Sequence, residues 1–462
     1  MLLQGWDREA GPRWLLDLGA VWDGRVGAWR LDAIRYADIA APLSAAAEKA
    51  ETVGPPSESF LDEVPKWRSL RWPKIDLPAL REEQTAAVAS WQASGRGLVV
   101  MPTGTGKTVV ALKIMADAAV SSLVVAPVRD LMYQWHRRIF EALGYDAGVI
   151  GDGVHRVRPV SVTTYDSACI HMEKFGDQFG LLIFDECHHL PGQIRRDAAR
   201  MSAAPLRLGL TATPHRADGR HIDLDELIGP VVYLQDVAAA RGRTLADYDV
   251  VRIPVKLSAE EQSRYDELSR QVRSYMVERR KELPAYSWQD LCGDAADTPE
   301  ARRALIAYHA KQAIEDRAEE KLRVLEDLFR LHHSEPCLVF VGSNAMARDV
   351  SRRFLIPCLL AHSRKQERLE VLQGLERGDY PALVANQVLD EGVDLPEVKV
   401  AMVIGGSASS RQAKQRLGRV LRRRGNTRAV LYEIVTAETN EEKRSRTRRR
   451  SDAYAGTKRW KK

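Results

Sequence analysis

The chain has 462 residues, 45% of them hydrophobic and 29% charged, with a formal net charge of +6. This balance excludes a disordered or fibrous chain, leaves room for two or three domains with cores of their own, and suits a polyanionic partner without requiring one. No apolar run reaches the roughly 18 residues of a bilayer span, and the scattered cysteines (Cys169, Cys187, Cys292, Cys337, Cys358) argue against a disulfide framework or a zinc module.

In chain order, Met1-Leu2-Leu3-Gln4-Gly5-Trp6-Asp7 lacks a basic stretch followed by an apolar one, so no signal peptide is expected and a cytoplasmic protein is. Residues 1–76 form a small Trp-rich segment, with a Pro-punctuated linker over 52–78. Between 77 and 240, short apolar runs recur at 97–101, 122–127, 160–165, 181–186 and 206–211, with helical stretches between them. Near-continuous apolar strands alternating with helices are the mark of a parallel sheet covered on both faces.

The first of these runs leads into Met101-Pro102-Thr103-Gly104-Thr105-Gly106-Lys107-Thr108 and then an apolar-periodic helix over 109–119. That is the setting of a phosphate loop. Its glycines let backbone N–H groups turn toward phosphates; Lys107 offers a point charge and the Thr108 hydroxyl a magnesium ligand. One departure stands out, because Met101 occupies the place where the general pattern has glycine. The run 181–186 ends in Asp185-Glu186-Cys187-His188-His189. A carboxylate at the C-terminal end of such a strand lies where doubly wound sheets bind ligands. Asp185 is therefore the expected magnesium ligand and Glu186 the expected general base. The neighbouring histidines have no second cluster with zinc-ligand spacing.

From 241 to 320 the texture changes to a charged, helical connector and insert, in which the break at 292–299 predicts two antiparallel helices. Residues 321–440 repeat the α/β pattern, with strands predicted at 337–341, 357–361, 382–387, 398–404 and 429–435. Late in this half comes Gln415-Arg416-Leu417-Gly418-Arg419-Val420-Leu421-Arg422. Arg419 and Arg422, three apart on one helix face, are placed to reach a γ-phosphate held by the other lobe, so that hydrolysis would require closure. Residues 441–462 form a basic tail, either solvated or in contact with phosphates.

With these three motifs in hand, the chain resembles superfamily 2 helicases, and within them the XPB family of DNA repair helicases in its short archaeal and bacterial form. The resemblance implies an α/β fold of two RecA-like doubly wound parallel-sheet lobes, with a helical thumb insert and a small N-terminal α+β domain. It implies ATP and Mg²⁺ as cofactors. It places Arg81 and Gln84 on the adenine, and Pro127, Arg129, Thr163, Thr164, Tyr165 and Ser343 on the DNA strand. Thr211 and Thr213 fall in the coupling motif; Gly392 and Asp394, together with Gln415, Arg419 and Arg422, belong to the nucleotide site. Arg216-Ala217-Asp218 sits where the family carries Arg-Glu-Asp, a loop tied to strand separation, and Ala217 replaces its central acid. Trp22 to Arg30, followed by Tyr36, is similar to the end of the family's damage-recognition domain.

The leading expectation is ATP-dependent unwinding of DNA with 3′ to 5′ polarity, in nucleotide excision repair, by a monomer that works with a nuclease or a repair complex. The Ala217 departure motivates a second reading, a duplex translocase that separates strands poorly and feeds a nuclease. An RNA helicase is a third, since the shared motifs hold phosphates more than bases. A non-catalytic scaffold would need damaged motifs, and these are intact.

Overall fold

The computed structural model describes residues 1–4, 13–40, 62, 64, 67–214, 218–235, 248–360, 363–386, 398–405, 429–449 and 458–459. The chain divides into two compact units, Met1–Asp236 and Val237–Lys462. No helix among the described residues is long and apolar enough to cross a membrane.

The first unit opens with a small antiparallel sheet of β1 (Leu2–Leu3), β2 (Val21–Asp23) and β3 (Ala28–Arg30), in the order β1-β3-β2, with helix α1 (Arg13–Asp17) between its first two strands. Asp23 accepts hydrogen bonds from Arg25 and lies 3.1 Å from Arg30, which fixes the tight turn between β2 and β3. The linker after it is not loose throughout. The Trp72 indole N–H donates to the Ala116 carbonyl at 3.1 Å, and Leu70 N–H to Ala119 at 2.7 Å, so this stretch lies along the main domain.

That domain consists of α2 (Glu82–Ser94), β4 (Arg96–Val100), α3 (Lys107–Ala118), β5 (Ser122–Ala126), α4 (Arg129–Leu143), β6 (Gly148–Gly151), β7 (Val154–Arg156), β8 (Val160–Thr164), α5 (Tyr165–Phe175), β9 (Leu181–Asp185), α6 (Asp197–Arg200), β10 (Leu206–Thr211), α7 (Asp223–Leu227) and β11 (Val231–Leu234). Its strands run in the order β11-β4-β10-β9-β5-β8-β6-β7, all parallel except the β6–β7 pair. Every residue of β5, β8 and β9 is buried, as a sheet clad on both faces demands. Helix α4 buries Met132, Trp135, Ile139 and Leu143, an i, i+3, i+7, i+11 stripe. All five strands expected in this half are present; β6, β7 and β11 are additional.

In the second unit, β12 (Tyr248–Val255) is followed by α8 (Ala259–Glu282), α9 (Trp288–Asp297), α10 (Pro299–Arg317) and α11 (Glu319–Leu331). The remaining elements are β13 (Cys337–Val341), α12 (Asn344–Phe354), β14 (Cys358–Leu359), α13 (Lys365–Arg377), β15 (Ala382–Asn386), β16 (Val400–Ile404), β17 (Ala429–Thr436), α14 (Asn440–Arg449) and β18 (Lys458–Arg459). The sheet order is β14-β15-β13-β16-β17-β12-β18, parallel throughout.

Three features differ from the sequence-based expectations. The stretch read as connector contains β12, which pairs with β17 over its whole length, Tyr248 opposite Ala429 to Val255 opposite Thr436. Strand partners so far apart in sequence leave no local signal. The insert has three helices rather than two, and residues 292–297 are helical. Ser287 caps α9 by accepting the Asp290 N–H while Asp290 accepts its own, so one break falls at 283–287, and a second, at Thr298 between α9 and α10, lies within the expected 292–299. A lone Gly293 inside a helix costs only about 1 kcal/mol. Finally, the start of the basic tail is the docked helix α14: Glu441 pairs with Lys321 at 2.6 Å with both side chains fully buried, and Ser445 donates to Glu433 at 2.9 Å.

Candidate active site

The phosphate loop leaves the C-terminal end of β4 and enters α3. Gly104 and Gly106 have φ of 86° and 90°, a region that side chains rarely adopt. At Gly106 a Cβ would also lie 2.3 Å from the Gln84 amide. The Met101 departure has a packing reason. Its side chain is fully buried in the core, its N–H donates to Thr211 at 3.0 Å, and its carbonyl accepts from Lys107 Nζ at 3.1 Å. Lys107 is thus held beneath the loop as the first residue of α3, where the helix dipole adds positive potential.

Gln84 is buried, with Nε2 donating to the Thr105 carbonyl at 2.9 Å and Oε1 accepting the Arg81 N–H at 3.0 Å. The residue expected to read the base is therefore also a strut for the loop. The Arg81 side chain is half exposed beside it.

The order β4-β10-β9 sets three motifs side by side at one sheet edge, with Leu210 paired to Asp185 and Thr211 to Val100. Asp185 Oδ2 accepts the Trp135 indole N–H at 2.8 Å, and Oδ1 the Glu186 N–H at 3.0 Å. Burial pushes the Asp185 carboxyl above the usual carboxylate range, opposed by the Trp135 hydrogen bond and the Lys107 charge. Glu186 has a left-handed φ of 47°, a strained geometry that turns its side chain out of the strand direction. Its Oε2 lies 3.4 Å from His188 Nδ1, which is 3.0 Å from the Thr211 hydroxyl. Thr211 Oγ1 in turn donates to the Thr213 carbonyl at 3.0 Å and accepts the Thr213 N–H at 3.1 Å. His188 thus stands between the expected base, at ion-pair distance, and the coupling motif, to which it is hydrogen-bonded.

The residues present suit a magnesium–triphosphate. Thr108 Oγ1 and the Asp185 carboxylate are hard oxygen donors, and the Thr103 hydroxyl, within the loop, is buried with no hydrogen-bond partner among the described residues.

Among the residues assigned to DNA, the outcome is mixed. Arg129 is 70% exposed, held by Asp152 at 2.6 Å, whereas Pro127, directly after β5, is buried and not open to a DNA strand. Asp218 is exposed and accepts the Arg220 N–H. Ser343 caps α12 through the Met346 N–H at 3.2 Å, at the C-terminal end of β13. Thr164 caps α5 by accepting the Ser167 N–H, and its side chain is buried at the end of β8, which corrects its assignment to the DNA strand. Tyr165 and Thr163 are corrections. The Tyr165 side chain is fully buried, its hydroxyl donating to the Asp185 carbonyl at 2.9 Å, and the buried Thr163 hydroxyl donates to Ile150 at 2.8 Å. Thr163 faces inward because a strand clad on both faces has no outward side, and Tyr165, opening α5, packs its ring against Phe184 of β9, so neither side chain is open to a strand of DNA. Arg216, Gly392, Asp394, Gln415, Arg419 and Arg422 lie outside the described residues.

Trp135 and His188 were not singled out from sequence for these roles. Trp135 reads as one member of an apolar helical stripe; the remaining signal is that a buried indole N–H needs an acceptor.

Residues 77–216 match the family model "Type III restriction enzyme, res subunit", and 320–424 match "Helicase conserved C-terminal domain". The DNA 3′-5′ translocase XPB2 of Sulfurisphaera tokodaii is 39% identical over 433 residues, 93% of this chain and 96% of that protein. The chain belongs to the XPB family. The DNA 3′-5′ helicase XPB of Kineococcus radiotolerans, another member of the family, is 31% identical over 394 residues, covering 82% of this chain but only 63% of that longer protein. Among solved structures, the Pyrococcus furiosus Hef helicase domain superposes with a TM-score of 0.52 at 17% identity, covering 80% of this chain and 98% of that one. This last likeness speaks to the fold of two RecA-like lobes.

Proposed function

We propose that this protein is an ATP-driven motor that moves 3′ to 5′ along DNA, working as a cytosolic monomer in excision repair with a nuclease or a repair complex. The observation that carries the reading is the alignment of the phosphate loop, the Asp185–Glu186 pair and Thr211 on neighbouring strand ends. Lys107 and the loop amides bind the β- and γ-phosphates, and Gln84 with Arg81 receives the base. Glu186 takes the proton of the attacking water. Magnesium, held by Thr108 and Asp185 when bound, offsets the charge that develops on the phosphates. Gly392 and Asp394 complete the site from the second lobe, and Gln415, Arg419 and Arg422 supply guanidinium and amide groups when the lobes close. DNA contacts come from Arg129, Arg216, Asp218 and Ser343. Hydrolysis in the absence of closure is then slow, and strand engagement sets its rate.

Ala217 favours a duplex translocase that separates strands weakly. Triplex displacement compared with opening of a labelled fork tests this: displaced triplex with closed forks is expected, and efficient fork opening would favour the helicase reading instead. ATPase stimulation by DNA is expected to exceed that by RNA of matched sequence; equal stimulation would count against the DNA assignment.

The contacts of His188 with Glu186 and with Thr211 support Thr211 as the coupling residue. Thr211→Val, which keeps the shape and removes the hydroxyl, is expected to leave DNA-free ATP hydrolysis within about threefold of the parent. Strand displacement per ATP should fall by about tenfold, as the loss of a hydrogen bond to a buried partner allows. Equal losses in both activities would argue against coupling.

A further inference from the structure

Where the base of the helical insert meets the last helix of the second unit, there is a cavity of about 540 Å³ that the motifs above leave unused. Tyr265 and Arg273 from α8, Lys311 from α10 and Lys443 from α14 line it, with Asn440 at the start of α14. Beneath it lies a buried ion network. Glu315 accepts hydrogen bonds from Tyr265 at 2.9 Å and Arg444 at 2.7 Å, while Glu441 accepts from Lys321 at 2.6 Å and from the Thr436 N–H at 2.9 Å. These carboxylates are committed to their own partners.

Lys311 differs from them. Its side chain is only 7% exposed, but the ammonium is not among the fully buried nitrogens: it opens into the cavity, where among the described residues no hydrogen bond or ion pair holds it. It rests 5.5 Å from the Tyr265 ring centre and 5.6 Å from that of Tyr308. Aromatic faces attract a cation but offer it no lone pair in place of water. Burial and the positive charges of Arg444, Lys443 and Arg273 act against its protonation, with Glu315 opposing them. Of the acids on the wall, Glu442 is paired with Arg252 at 3.0 Å, Asp266 accepts from Gln262 at 3.1 Å, and Glu438 is exposed. An ammonium with an enclosed stem and no carboxylate partner, opening into a recess beside further cations, is what an oxyanion with several acceptor oxygens satisfies.

We propose that this cavity is a second phosphate-binding site, with Lys311 as its deep cation and Arg273 and Lys443 at its rim. The phosphate is either a backbone phosphate of a bound strand or a free phosphate group; the first source rests on the DNA reading above. Filling the site would tie α8 and α10 to α14, and so fix the insert against the sheet that carries β12 and β17.

Two variants of the full chain separate the sources. Lys311→Met keeps the stem over the tyrosines without the charge, and Arg273→Ala removes an exposed rim group that folding does not need. If the strand is the source, either variant weakens DNA binding roughly fivefold at 0.1 M salt and lowers the slope of log K against log salt by about 0.9. DNA-free ATPase should stay at the parent level, because neither residue belongs to the nucleotide site. If free phosphate is the source, the salt slope holds. Inorganic phosphate then binds the Lys107→Ala protein, as followed by ³¹P line broadening, and binding is lost when Lys311→Met or Arg273→Ala is added. An unchanged salt slope together with unchanged phosphate binding in both variants overturns the site. Absence of DNA binding by the parent defeats the DNA reading and leaves the phosphate measurement to decide the pocket.

Discussion

Lys107→Ala and Glu186→Gln are each expected to reduce DNA-stimulated ATP hydrolysis by about 10²- to 10³-fold, for different reasons. Lys107 is held under the loop by the Met101 carbonyl, so its charge is positioned before nucleotide arrives and costs no reorganisation. Its loss weakens nucleotide binding as well as turnover. Glu186 projects from a left-handed backbone position at the end of β9, close to the loop but not part of it. Glutamine there keeps the shape and the proximity to His188 while removing the proton acceptor. Binding of a fluorescent ATP analogue should therefore survive in Glu186→Gln and fall in Lys107→Ala. Turnover within about threefold of the parent in both variants would defeat the assignment of this edge as the hydrolytic site.

The second large effect is on stability. Arg207 is fully buried in β10, an unusual place for a guanidinium. It donates to the carbonyls of Ala204 at 3.1 Å, Ala199 at 3.1 Å, Leu227 at 2.9 Å and Ser202 at 2.7 Å. It thereby gathers α6, the turn after it and the end of α7 around the strand that carries Thr211. Nearby, Arg96 donates to the Ile228 carbonyl at 3.2 Å. Replacing a buried ion pair with apolar residues is often harmless, because both charges leave together. Here the partners are main-chain carbonyls that no single substitution removes, and each buried orphan costs about 1–3 kcal/mol. Partly offset by relief from burying the guanidinium, Arg207→Met is expected to destabilise the first unit by roughly 3–5 kcal/mol, or a fall in Tm on the order of 10 °C. Differential scanning calorimetry reads this in the transition of the first unit; an unaltered Tm would mean those carbonyls find other donors.

How far the sequence carries can be judged from particular elements. The strands and the two ATP-site motifs of the first unit are legible because their signals are local. A run such as Leu181–Asp185 is apolar at nearly every position, and Gly104 to Lys107 must follow a strand and open a helix to work. The link from Glu186 and His188 to Thr211 was not legible, since Thr211 lies on another strand, β10. The same holds for Trp135 on Asp185 and for Gln84 under the loop.

The sequence by itself determined the period of the elements, the existence of two parallel-sheet units and the identity of the phosphate loop and its acidic partner. These follow from residue type and spacing along a few consecutive positions. Only the tertiary structure decided that Tyr165 and Thr163 point into the core, that β12 belongs to the second sheet, and that part of the basic tail is a docked helix. Those outcomes depend on which distant segments share a dry interior, where every buried polar group must find a partner. The choice of partner is a property of the packed chain and is written at no single place along it.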